Sequence, residues 1–72
     1  MAQFSPAQYD ALERAITDRR RIAVYRRGTE YILIPTALRL TGGREEVEAV
    51  HPTTGDRMKL YVDEVDSFEV VR

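Results

Sequence analysis

EYILIPTALRLT, residues 30–41, carries a proline in the middle of a run that otherwise has the character of a β-strand. Tyr31 to Ile34 are β-branched, aliphatic or aromatic residues that favour extended backbone, and four apolar positions in succession suggest cover on both faces. Pro35 cannot donate to a ladder, so it marks a bend or bulge before Ala37 to Thr41 resumes pairing. The expectation is one long kinked strand, the device by which a small antiparallel sheet turns a corner.

Downstream of it, Gly42-Gly43 supplies a tight reversal into a strand over Glu46 to His51, and Pro52-Thr53-Thr54-Gly55-Asp56 forms the next turn. Arg57 to Val62 alternates cleanly, with Met58, Leu60 and Val62 inward and Arg57, Lys59 and Tyr61 outward. Asp63 to Asp66 suits a single helical turn, and Phe68 with Val70 makes a last inward-facing strand. Upstream, Arg27-Gly28-Thr29 turns back to Ile22 to Arg26, where Ile22 and Val24 face away from Ala23 and Tyr25. The interior is therefore expected to collect Ile22, Val24, Met58, Leu60 and Phe68.

The chain opens differently. Phe4-Ser5-Pro6-Ala7-Gln8-Tyr9 combines a capping serine, a proline at the first helical position, a glutamine placed for a capping box, and Phe4 with Tyr9 spaced as a hydrophobic staple. Tyr9, Leu12 and Ile16, with Ala11 and Ala15 beside them, follow helical spacing. A helix over 5–20 is expected, with Arg19 to Arg21 in its last turn or just beyond, near the negative end of its dipole. The fold class is then mainly β with one N-terminal helix: a small SH3-like or Sm-like antiparallel barrel of about five strands over 21–72, or the same strands left as an open curved sheet.

Seventy-two residues form a single domain, 1–72, with no internal repeat or linker. No cysteine is present, so disulfides, thiolate metal sites and cysteine nucleophiles are excluded. Met1-Ala2-Gln3-Phe4 does not begin a leader, and no apolar run reaches membrane-spanning length, so a cytoplasmic location without membrane contact is expected. Charge is uneven: residues 1–44 hold eight Arg against four acidic residues, and 45–72 hold three basic against eight acidic residues. Such a division either makes a steering patch or draws oppositely charged strands together, within one barrel or between copies.

Ala15-Ile16, Arg20-Arg21-Ile22, Gly28, Glu30, Pro35 with Leu38, Gly43, Thr54-Gly55, Arg57, Val62-Asp63-Glu64-Val65 and Phe68-Glu69-Val70 follow one another in an order and spacing that resembles the WYL domain over roughly residues 12–71. The resemblance implies an Sm-like barrel of the kind appended to helix-turn-helix regulators in bacteria, sensing nucleic acid or nucleotides through basic and aromatic residues on strands. Two departures stand out. Glu45-Glu46-Val47 occupies the place of the tripeptide that names the family, and Leu60-Tyr61-Val62-Asp63-Glu64-Val65 lacks both arginines of the corresponding late strand. The chain itself contains no helix-turn-helix pattern.

For chemistry, the candidates are Arg20, Arg21, Arg26 and Arg27, whose guanidiniums can grip phosphates bidentately, and Tyr25, which can stack on a base. Nucleic acid or a nucleotide is the partner this implies, and Tyr31 and Tyr61 are further stacking candidates. Against it, the same cluster is a helix end plus a strand flank with Asp18 and Glu30 nearby. His51 stands alone beside Pro52 and suits a turn rather than a metal site, and Asp63, Glu64 and Asp66 lack the spacing of a calcium loop. No nucleophile motif or phosphate loop is present, so no enzyme activity, metal or cofactor is expected. The competing reading is a stand-alone barrel that binds a regulator protein or further copies of itself through strand edges and outward apolar residues such as Tyr25, Val50, Tyr61 and Val71.

Overall fold

The computed structural model describes residues 4–71, so residues 1–3 and 72, the two ends of the expected domain, lie outside the described residues. Helix α1 (Pro6–Asp18) is followed by β1 (Ile22–Arg26), β2 (Thr29–Thr41), β3 (Arg44–Val50), β4 (Arg57–Tyr61), a 3-10 turn (Val62–Glu64) and β5 (Ser67–Val70). The five strands form one antiparallel sheet in the order β4-β3-β2-β1-β5, curved like a barrel but left open between β4 and β5. Of the two expected closures, the open curved sheet is the one observed.

The kinked strand is continuous. β2 pairs with β1 through Thr29 to Leu33 and with β3 from Ile34 onward, and its register shifts between Pro35 and Ala37. The extra residue Thr36 bends the strand, and its hydroxyl donates to the Glu48 carbonyl at 3.1 Å. Two-residue loops join β1 to β2 and β2 to β3. At the second, Gly42 and Gly43 both take positive φ at no steric cost, whereas the first places Arg27 at φ 51 beside Gly28.

At the start of α1, Ser5 accepts from the Gln8 amide while the Gln8 side chain accepts from the Ser5 amide, so the expected capping box is formed. The helix is shorter than expected: it stops at Asp18, because Arg19 turns left-handed (φ 54) and the Arg20 amide reaches back to the Ala15 carbonyl at 2.9 Å. Arg19 is thus the cap, and Arg20 and Arg21 lie beyond the helix in the corner before β1.

Leu12 and Ala15 of α1 seat on Ile22, Val24, Leu33, Val47, Ala49, Leu60, Val62, Val65 and Phe68, with Met58 partly buried against them. All five expected interior residues therefore face one core. Phe4 closes it from the helix side, 4.8 Å from the Phe68 ring centroid, and a void of about 10 Å³ lies between Phe4, Leu12 and the sheet. The two-sided cover expected for Tyr31 to Ile34 is not found. Leu33 is buried, but Ile32 is 36% exposed and Ile34 only half-buried.

Candidate anion-binding surface

Strand alternation and length divide the five candidate residues. Arg20 and Arg21 are exposed at the corner between α1 and β1, while Arg26 and Arg27 follow at the other end of β1, about 17 Å away at the strand rise of 3.4 Å per residue. Tyr25 and Arg26 point to opposite faces.

Each then meets a different environment. Tyr25 looks outward between Glu30 on β2 and Ser67 on β5. Hydrogen bonding to the Glu30 carboxylate holds its phenol above the ordinary range, with desolvation and the Glu30 and Glu69 charges adding in the same direction. The Arg26 guanidinium lies 5.2 Å from the centre of the Tyr31 ring. Arg27 turns toward the 3-10 region: its amide donates to Asp66 Oδ2 at 3.2 Å, and its guanidinium is 3.9 Å from Glu64. Among the described residues, Arg19, Arg20, Arg21, Arg26 and Arg57 enter no ion pair.

Arg44, which the sequence reading passed over, is the most engaged cation. It donates through Nε and Nη2 to the two oxygens of Asp63 at 3.1 and 2.7 Å, reaches Glu64 at 3.4 Å, and lies 3.7 Å from the centre of the Tyr61 ring. Bidentate bonding to Arg44 lowers the Asp63 carboxyl below its ordinary value and raises the guanidinium in turn. The acidic group of Asp63 and Glu64 is thus a clasp that ties the β2–β3 turn to the 3-10 turn. Its signal in the sequence was faint, because nothing local connects Arg44 with residues nineteen and twenty positions later.

Glu45 and Glu46 also have work inside the fold. Tyr9 donates to Glu45 at 2.5 Å, tying α1 to β3, and this hydrogen bond, followed by desolvation and the Glu45 charge, raises the Tyr9 phenol. Glu46, only 7% exposed, lies opposite Arg39 and Tyr61 on the outer face, with Lys59 at 3.9 Å. Arg39 pairs instead with Glu48 at 3.4 Å. Cations of the first half meet carboxylates of the second at Arg27–Glu64, Arg39–Glu48, Arg44–Asp63 and Arg44–Glu64, so much of the charge division is resolved within the domain.

His51 has the turn role expected of it: its Nδ1 accepts from the Thr53 and Thr54 amides at 3.2 and 3.3 Å. Among the described residues no three His, Asp or Glu side chains come together as a metal site, and no helix is long and apolar enough to cross a membrane.

No protein-family model matches the sequence, and no curated protein matches it. A solved structure does: Proteasome accessory factor B/C (PafBC) of Arthrobacter aurescens, at 22% identity and a TM-score of 0.76. The fold is shared. The similarity covers 96% of this chain and 12% of that one, so this chain spans about an eighth of PafBC.

Proposed function

We propose that the chain is a non-enzymatic, WYL-like regulatory module that binds the phosphates of nucleic acid or a nucleotide at the corner between α1 and β1. Arg20 and Arg21 are the primary contacts. Arg26, held over Tyr31, is a second station at the far end of β1, while Tyr25 on the opposite face and Arg27, engaged by Glu64 and Asp66, are secondary contacts. The observation that carries this reading is the state of the corner: consecutive arginines stand exposed without an ion pair among the described residues, in a protein that neutralises Arg27, Arg39 and Arg44 internally. The fold likeness to PafBC, a WYL-domain-containing regulator, supports a regulatory rather than a catalytic role.

The test is a titration of labelled single-stranded DNA and RNA at low and moderate salt. Saturable binding whose logarithm falls with the logarithm of salt by about 0.7 for each phosphate contacted is expected, and Arg20→Glu combined with Arg26→Glu should abolish it. Binding that ignores both substitutions would reject the reading.

A second reading is self-association or docking on another protein through strand edges. The open edges favour it: β4 presents Arg57 and Lys59, and β5 presents Ser67 and Glu69. A discrete oligomer by light scattering, with no uptake of nucleic acid, would favour this reading over the first.

A further inference from the structure

The outward face of β5, β1 and the first half of β2 is arranged about a centre. Ala23 lies between Ile32 on one neighbouring strand and Glu69 on the other, and Tyr25 lies between Glu30 and Ser67. Arg21 stands two residues before Ala23 and Tyr25 two residues after it, while Glu30 and Ile34 flank Ile32 in the same way. All of them alternate with the core residues Ile22, Val24, Leu33 and Phe68, so they share the outer face.

The centre is apolar and uneven. Ile32 is 36% exposed beside the small, buried Ala23, and Val71 at the margin is 37% exposed. One end of the patch is cationic, with Arg21 exposed and without an ion pair among the described residues. The other end is anionic, with Glu30 exposed beside Tyr25. A groove of 380 Å³ at Ile32 is bordered by both Arg21 and Glu30. Opposite charges set evenly about an apolar centre match a half-turned copy of the same surface better than they match a ligand of one sign.

A half-turn about an axis that crosses the strands at Ala23 and Ile32 lays Ile32 on its counterpart. It also brings Arg21 of each molecule over the other's Tyr25, one strand spacing of about 4.8 Å from Glu30. Packed sheets lie about 10 Å apart, and an arginine reaching toward a glutamate spans that offset. Ala23 leaves room beside the two isoleucines. Glu69 meets its own counterpart near the rim, where the partner's Arg21 lies diagonal to it.

We propose that this face is a two-fold interface between copies of the chain, closed by Ile32 on Ile32 and by Arg21 of each copy on the Glu30 carboxylate of the other. The contact uses the sheet face and not its edges. It does not rest on the phosphate-binding reading: Arg20 borders a groove along α1 and Arg26 lies on the core side of β1 over Tyr31, so Arg21 alone is shared.

Sedimentation equilibrium of the whole chain over roughly a hundredfold range of concentration reads the association directly. A monomer–dimer equilibrium that weakens with salt is expected. Ile32→Arg should raise the dissociation constant at least roughly tenfold. Arg21→Glu and Glu30→Arg should each raise it roughly fivefold, whereas the two together exchange the charges and should return it to within about twofold of the native value. Arg14→Glu, the same charge change on α1, should leave it unaltered. Circular dichroism verifies folding, and Ile32→Thr replaces Ile32→Arg if the new charge disturbs the strand. A monomer throughout the range overturns the interface, as does a dimer indifferent to Ile32 and to the charge exchange. Loss of that dimer on Lys59→Glu would place the contact at the β4 edge instead. Open-ended polymers also overturn it, because a two-fold contact closes on itself.

Discussion

Leu12 and Leu40 offer the sharpest test of the architecture, because identical chemistry meets opposite surroundings: Leu12 is 1% exposed beneath α1, and Leu40 is 74% exposed near the end of β2. Leu12→Ala deletes a branched side chain that touches an internal void of about 10 Å³, whose walls also include Phe4, Leu60 and Phe68. The new space merges with the old, and the sheet, tied by its ladders, relaxes only partly. Loss of transfer free energy plus the cavity amounts to about 3–4 kcal/mol. A domain of this length has roughly 4–11 kcal/mol in total, so the variant retains little. Its thermal midpoint should fall by about 12–30 °C at 4–8 °C per kcal/mol. Leu40→Ala should change stability by less than about 0.5 kcal/mol, and Leu12→Met by under about 1.5 kcal/mol. Urea unfolding followed by circular dichroism measures all three. Equal, small losses in Leu12→Ala and Leu40→Ala would mean that α1 does not sit on the sheet, and the core described above would be refuted.

Arg19 holds a left-handed φ that an L side chain resists, so Arg19→Gly should stabilise the protein by about 0.5–1 kcal/mol in the same urea assay. The Asp63 carboxyl is held low by Arg44. Folding then gains from its ionised form above the ordinary carboxylate range and loses that gain as pH falls through the depressed value. Asp63→Asn should accordingly flatten the acid side of the stability profile while leaving its shape near neutrality; an unchanged acid limb would count against the clasp. His51→Ala removes the acceptor for two turn amides and should cost about 1 kcal/mol, with faster hydrogen exchange at Thr53 and Thr54, and His51→Asn should restore part of the protection.

What the sequence disclosed was local. Ser5, Pro6 and Gln8 spelled the helix start, Pro35 the bend, and Gly28 and Gly42-Gly43 the reversals, because each acts within a few residues of itself. The helix end was misplaced by two residues because nothing in Asp18-Arg19-Arg20 is a glycine, yet Arg19 accepts the left-handed cap. The candidate arginines looked like one cluster in the chain, but four residues of extended strand separate Arg21 from Arg26. Conversely, Arg44 finds Asp63 only after the sheet has curled. Side-chain partnerships across strands depend on register, which a one-residue slip would reverse.

β1 through β4 run as a meander in which each strand folds back on its immediate predecessor, but β5 returns to the opposite side to pair Ile22 with Val70. Closing that long loop demands the most chain entropy for the fewest bonds, so it belongs at the end of the folding reaction. On the ribosome the free margin of β1 stays unsheltered until β5 has emerged. Substitutions at Phe68 should therefore hasten unfolding far more than they slow folding, and a nascent chain stalled before Ser67 should be a ready client for chaperones.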